Sequence, residues 1–269
     1  MALSDPAAAL ENPARYRWLL ASFVRREIAN RYAGSVSGLA WTFLHPLAQL
    51  AVFAFVFSHV FRAGVPPQYA GVGYTAFVAV ALWPWIMFSE ALQRGMGAVQ
   101  ANAGLIRKVA FPHRLVVYAA VAACYAVLAV GFAVVLLVLR LSGEPIHLET
   151  VPLAALLLLP YLLLSTGLAA ALAALQTLLR DVEHGIGIVL TIVFYATPIL
   201  YPASFLPESA RPWVEGQPFG YLSGRIRDVL LQGSGLSAGD AVAAVACGLV
   251  FLAGVWFFDR LSPHFEDFL

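Results

Sequence analysis

The chain has 269 residues, of which 61% are hydrophobic and 12% charged, with a formal net charge of +1 and a mean hydropathy of +0.81. An ordinary soluble domain carries roughly 45–50% apolar and 25% charged residues, so this balance excludes a typical water-soluble enzyme and points to residence in a membrane. The basic residues stand in short clusters between apolar stretches, which excludes a broad nucleic-acid-binding face.

Several apolar stretches reach the length of about 20 residues that a helix needs to cross a bilayer. Residues Met1 to Glu11 lack the basic, apolar and small-residue order of a secretory signal, so the amino terminus is expected to be retained. Over residues 15–33, Tyr16, Leu19, Leu20, Phe23 and Val24 fall near one helical face, flanked by Arg17, Arg25 and Arg26 and interrupted by Glu27. Two readings stand open for it: an interfacial helix lying on a charged membrane surface, or the ordinary positive flank of a first span. Spans follow at 37–61 and 72–95, joined by a short loop holding Gly64, Pro66 and Pro67.

Residues 101–112 read as a short helix ending before Pro112, with Leu105 and Ile106 as apolar knobs beside Arg107 and Lys108. Such a helix would seat in a groove on a partner protein; a solvated turn with topogenic charges is the other reading. The third and fourth spans, 115–139 and 151–175, are separated by the turn-like Ser142, Gly143, Glu144 and Pro145. A fifth occupies 185–200 and a sixth 241–258. Between them, 202–240 is rich in proline and glycine, and within it Tyr221 to Leu231 reads as an amphipathic helix bearing Arg225, Arg227 and Asp228. It is expected either to dip into the membrane surface or to form a plain external loop. The expected architecture is all-α: one domain over residues 1–269, with six transmembrane helices.

An even number of crossings puts both termini on one side. Arg15, Arg17, Arg25, Arg26, Arg31, Arg107, Lys108, Arg114, Arg180 and Arg260 fall there, against Arg62, Arg140, Arg211, Arg225 and Arg227 opposite. Short cytoplasmic loops carry the excess of arginine and lysine, so both termini are expected in the cytoplasm. Glu90 and Arg94, spaced i, i+4 with the acid first, suit a structural ion pair within the second span. Pro46, Pro84 and Pro198 each interrupt a span, so kinks or flexible joints are expected there, with the freed carbonyls satisfied inside the bundle. His45 and His59 have no acidic companion in the first span and are read as structural or water-facing. The aromatics Trp41, Phe55, Trp83, Trp85, Phe88, Tyr195 and Tyr201 are candidates for lining a conduit, where ring faces suit the C–H faces of sugars; core packing and interfacial belts are the plainer uses.

Absences narrow the chemistry. Lys108 is the sole lysine and precedes Val109, so the chain contains no Gly-Lys-Ser/Thr phosphate loop. Zinc-protease, nucleophile-elbow and dinucleotide-loop motifs are also missing, and Cys124 and Cys247 stand singly within apolar stretches. No catalytic residue and no metal ligand set is assigned. Spans three to six carry almost no ionisable residues at mid-depth, which disfavours ion coupling. Energy is expected to enter from outside the chain.

In this order, Arg25-Arg-Glu-Ile-Ala-Asn-Arg-Tyr-Ala-Gly-Ser with Gly38, Trp41 and Pro46, then Trp83-Pro-Trp, Glu90-Ala-Leu-Gln-Arg-Gly, Asn102 with Leu105-Ile-Arg-Lys and Phe111-Pro112, Arg180-Asp181 and Pro198-Ile-Leu-Tyr-Pro202 resemble the type-2 ABC transmembrane family. Within it, the chain is similar to permeases that export O-antigen, teichoic acid or capsular polysaccharide. The resemblance covers nearly the whole chain. It implies a homodimer in a bacterial inner membrane, bound by two copies of a separate ATPase that holds the ATP and magnesium, with no cofactor on this chain. Residues 15–33 would be the interface helix, through Arg17, Phe23, Arg25, Arg26, Arg31 and Tyr32. Residues 101–112 would be the ATPase-coupling helix, through Asn102, Leu105, Ile106, Arg107, Lys108 and Phe111, and 202–240 would hold external re-entrant gate helices. The implied substrate is an undecaprenyl-diphosphate-linked polysaccharide, drawn from among membrane lipids. A type-2 permease for a drug or small lipid, or a non-transporting component of polysaccharide assembly, are the alternatives. One departure is Gln217-Pro218, where the family tends to place Asn-Pro.

Overall fold

The computed structural model describes residues 13–32, 38–62, 64–109, 111–179 and 181–265, with backbone alone at 13–15, 32, 38, 39 and 215. Among the described residues the secondary structure is helical, without strands. α1 (Pro13–Tyr32) precedes α2 (Gly38–Phe55), which runs on as a π-helical turn over Val56–Val60. α3 (Tyr74–Ala101), the short α4 (Ala103–Ile106), α5 (Arg114–Leu141) and α6 (Val151–Leu178) follow. α7 (Val182–Ala196), α8 (Arg211–Gly216), α9 (Pro218–Gln232) and α10 (Ala238–Leu261) complete the order.

Among the described residues, five helices are long and apolar enough to cross a membrane: Ala40–Val60, Tyr74–Ala101, Arg114–Leu141, Leu148–Leu178 and Ala238–His264. The fifth expected span, 185–200, is helical only to Ala196, as the 15-residue α7. At 1.5 Å per residue such a helix covers about 22 Å, short of a hydrocarbon core of about 30 Å. It stops where Pro198 approaches, because the residue before a proline is biased away from helical backbone, and Thr197 is extended. Pro46 and Pro84, by contrast, lie inside continuous helices. Membrane helices tolerate proline when neighbours re-satisfy the freed carbonyls.

α3 is the axis of the bundle. It packs against α2, α5, α6, α7 and α9, and 78% of its spanning window is buried, against 17% for α2 and 22% for α10. Trp83 holds α3 to α5: its indole N–H donates to the Leu128 carbonyl at 2.9 Å, and its ring lies where a Cβ on Gly131 would come within 2.6 Å. α6 and α10 cross most intimately. A Cβ on Gly254 would stand 2.0 Å from the Gly167 carbonyl oxygen, and one on Gly167 would stand 2.4 Å from the Phe251 Cα. Small residues let membrane helices approach backbone to backbone, and these two glycines permit it here. Tyr125 and Ser165, hydrogen-bonded at 2.7 Å in the buried interior, join α5 to α6.

Candidate functional site

The end of the bundle that carries α4 gathers several of the sequence-predicted residues. Asn102 caps α3, its amide donating to the Ala98 carbonyl at 2.8 Å while its side-chain oxygen accepts from Arg26 of α1. The Arg26 guanidinium also lies 5.1 Å from the Phe23 ring centroid, and Phe23 meets Phe111 edge-on at 5.5 Å. Phe23, Arg26, Asn102 and Phe111 therefore form one contact that ties α1 to the α3–α5 connection. Arg17, Arg25, Arg107 and Lys108 are exposed, and Leu105 is half-buried. Ile106 departs from the expected pair of exposed knobs. It is buried, because the single turn of α4 directs this side chain into the bundle. Tyr32 closes α1, and its side chain lies outside the described residues, as does Arg180.

About three helical turns before the end of α3, Glu90 accepts from two arginines. Arg94 Nε donates at 2.9 Å within α3, and Arg31 of α1 donates to the same oxygen. The expected Glu90–Arg94 pair is thus two-thirds of a cluster that reaches across helices. It faces a cavity of about 460 Å³ walled by α1, α2 and α3, whose lining includes Trp41, His45, Gln49, Trp85 and Gln93. Among the aromatic candidates, Trp41, Phe55 and Tyr195 are exposed, and Tyr201 is half-buried with its hydroxyl donating to the Tyr195 carbonyl at 2.6 Å. Trp85 is buried at the cavity wall, its ring tilted against Phe88 and Phe194 and edge-on to Phe219. Trp83 and Phe88 are enclosed in the core of the chain, where they serve packing rather than the wall of an open path.

The opposite end, carrying α9, holds a denser network. Arg227 is buried and donates to the carbonyls of Phe77 (3.1 Å), Pro198 (3.2 Å) and Ile199 (2.9 Å), with its guanidinium 3.8 Å from the Phe77 ring centroid. Two of those carbonyls belong to the non-helical segment after α7, which has no ladder of its own to satisfy them. Burial lowers the guanidinium to about 10, so it remains charged at neutral pH. Arg225 forks onto Asp240, at 2.8 Å and 3.1 Å, which holds the arginine above its ordinary value. Tyr221 donates to Asp240 at 2.9 Å, and Asp240 forms a capping box with Ser237 at the start of α10. Tyr69 donates to Asp228 at 2.5 Å; burial first, then this acid, pushes the phenol up. Gln217 caps α9 by accepting from the Phe219 N–H at 3.1 Å, which asparagine also does at such positions. Among the described residues, no group of three or more His, Cys, Asp or Glu side chains is placed to hold a metal ion.

Residues 19–231, which hold Phe23, Arg26, Asn102 and Phe111 at one end and Arg225 and Arg227 at the other, match the profile of the ABC-2 type transporter family. The chain belongs to the ABC-2 type transporter family. It is 35% identical over 200 residues to the O-antigen export system permease protein RfbA of Myxococcus xanthus, covering 73% of this chain and 74% of that protein. It is 23% identical over 251 residues to the protein of the same name from Klebsiella pneumoniae, covering 93% and 95%. It is 21% identical over 209 residues to the polysialic acid transport protein KpsM of Escherichia coli, covering 77% and 79%.

Within this ABC-2 chain, two features escape sequence reading. By sequence Arg31 belongs with the other arginines of α1, and its contact with Glu90 spans 59 positions. Arg227 looked like one of three charges on an amphipathic helix. Its spacing was the signal: Ser223, Arg227 and Leu230 stand at i, i+4 and i+7, one face of a helix, and all three are buried.

Proposed function

We propose that this chain is the membrane-embedded permease subunit of an ATP-driven exporter of lipid-linked polysaccharide. The observation that carries the reading is the 35% identity, over 73% of the chain, to a protein named as an O-antigen export permease. In this reading two copies form the translocation unit in a bacterial inner membrane, and α2, with the least buried spanning window, offers surface to the second copy. The α7 helix together with Thr197–Leu200 completes a sixth crossing, and both termini face the cytoplasm, where the excess of arginine and lysine lies.

A separate ATPase, in two copies and carrying its own ATP and magnesium, docks at the α4 end. The Phe23–Phe111 and Arg26–Asn102 contacts make α1 and the α3–α5 connection one mechanical unit, so a push on Arg107 and Lys108 reaches α1 directly. The α8–α9 region forms the external gate, pinned to α3 and to the segment after α7 by Arg227. The substrate is a polymer on an undecaprenyl-diphosphate carrier, moved from the cytoplasmic to the periplasmic face.

The deciding experiment reconstitutes the chain with its co-purifying ATPase in vesicles and follows transfer of lipid-linked glycan, with an ATPase-dead control. Transfer that requires the live ATPase is expected. Its absence from a well-formed complex given several glycans, with transfer of a small lipid or drug instead, overturns the polysaccharide assignment. In the same assay, Arg107→Glu with Lys108→Glu is expected to leave ATP hydrolysis running while transfer stops.

A further inference from the structure

Two arginines converging on one carboxylate at the edge of an open cavity is an unusual use of charge within a membrane bundle. Ionisable groups at such depth are costly, and they take partners or mark a pathway. Glu90 lies 11 positions before the end of α3, or about 16 Å along its axis, near the α4 end of the hydrocarbon zone. The Arg31 and Glu90 side chains are mostly covered, whereas Arg94 is 38% exposed. The salt bridge to Glu90 occupies Arg94 Nε; its two terminal nitrogens make no hydrogen bond among the described residues. The cluster carries a net positive charge of one. His45, Gln49 and Gln93 add polar groups around the same cavity, and Trp41 and Trp85 close it with rings suited to the boundary of a bilayer.

This is the chemistry of an anion site. Guanidinium forks match phosphate oxygens, and the tryptophan walls suit a headgroup whose tail continues into lipid. A neutral sugar does not need two arginines. We infer that this cavity is a binding site for the diphosphate of an isoprenyl lipid carrier. Glu90 acts in it as an internal competitor: it holds both arginines in place when the site is empty and yields part of their hydrogen bonding when a diphosphate arrives. Because Arg31 belongs to α1, and α1 is tied to the α3–α5 connection through Asn102 and Phe111, occupancy of the cavity is felt at the surface proposed to meet the ATPase. The identity of the carrier rests on the export function proposed above; the anion chemistry rests on the cluster.

The test measures binding, not transport. The chain with its ATPase, in nanodiscs of neutral phosphatidylcholine, is titrated with undecaprenyl diphosphate lacking any glycan while the fluorescence of Trp41 and Trp85 is followed, using Trp41→Phe to assign the signal. Saturable binding is expected, weakened about tenfold by Arg94→Ala, as loss of a charge-assisted contact implies, and unchanged by Arg140→Ala at the far end of α5. Glu90→Gln keeps a hydrogen-bonding partner for both arginines and removes the competing charge, so it is expected to tighten binding severalfold. A purely structural cluster predicts the opposite sign for that variant. Inorganic pyrophosphate is expected to compete. Equal competition by phosphatidylglycerol overturns the carrier as occupant, and binding indifferent to both Arg94→Ala and Glu90→Gln overturns the site. Binding that behaves as expected in a chain that translocates nothing keeps the site and ends the exporter reading. Transfer that proceeds with no diphosphate binding here does the reverse.

Discussion

Arginine is used in opposite ways at the two ends of the bundle. At the α9 end, Arg227 is buried, caps three backbone carbonyls and covers a phenylalanine ring. At the α4 end, Arg94 and Arg31 share one oxygen of Glu90 beside an open cavity, while Arg26 and Arg114 make exposed contacts with Asn102 and Asp259. The first arrangement leaves no bond to exchange, because every acceptor it touches is backbone. The second shares a single carboxylate among competitors and can trade partners. A buried, fully engaged guanidinium fixes a fold; a half-open one with spare donors is available for something else.

The contrast predicts an uneven distribution of stability. The largest loss is expected for Arg227→Met, which strands carbonyls that no water reaches. By the usual cost of buried unsatisfied groups it should amount to about 3–5 kcal/mol and appear as a lowered melting temperature of the purified chain in detergent. Arg227→Lys should recover little, since an ammonium lacks the planar fork that reaches three carbonyls. Asp240→Ala comes next, at about 2 kcal/mol, because it strips the forked partner of Arg225 and the capping box of α10 together; hydrogen exchange at Ser237–Asp240 reads it locally. Smallest is Arg26→Ala, expected to cost under about 1 kcal/mol as an exposed contact, with its effect instead in the coupling of ATP hydrolysis to transfer. If Arg26→Ala destabilises the chain as much as Arg227→Met does, the contrast between a locked end and an exchangeable one fails.

Much of this layout was legible in the residues. Length and hydropathy place α2, α3, α5, α6 and α10, because the bilayer imposes a minimum apolar run and each of these helices meets it without help from the rest of the chain. The i, i+4 pair Glu90–Arg94 was legible for the same reason: both partners lie on one helix. The third member, Arg31, was not, since its distance from Glu90 depends on how α1 lies across the bundle and not on any local spacing. Local rules also left the three prolines undistinguished. Pro46 and Pro84 sit inside continuous helices, whereas Pro198 follows a helix end whose carbonyls meet an arginine 29 positions later. Ile106 illustrates the reverse error: followed by Arg107 and Lys108, it reads as surface, while one side of its single helical turn faces the interior.

The glycine contact between α6 and α10 has a consequence for biogenesis. Gly254 follows Gly167 by 87 positions. At about 5–20 residues per second, roughly 4–17 s of synthesis separates the emergence of the two. During that interval the Gly167 face of α6 has lipid where it will later have the backbone of α10. α10, inserted after α6, therefore completes a crossing begun in the middle of the chain. Variants that enlarge either glycine should be recognised by membrane quality control as unfinished protein, degraded at an early stage, and seen as low abundance before any assay of transport is possible.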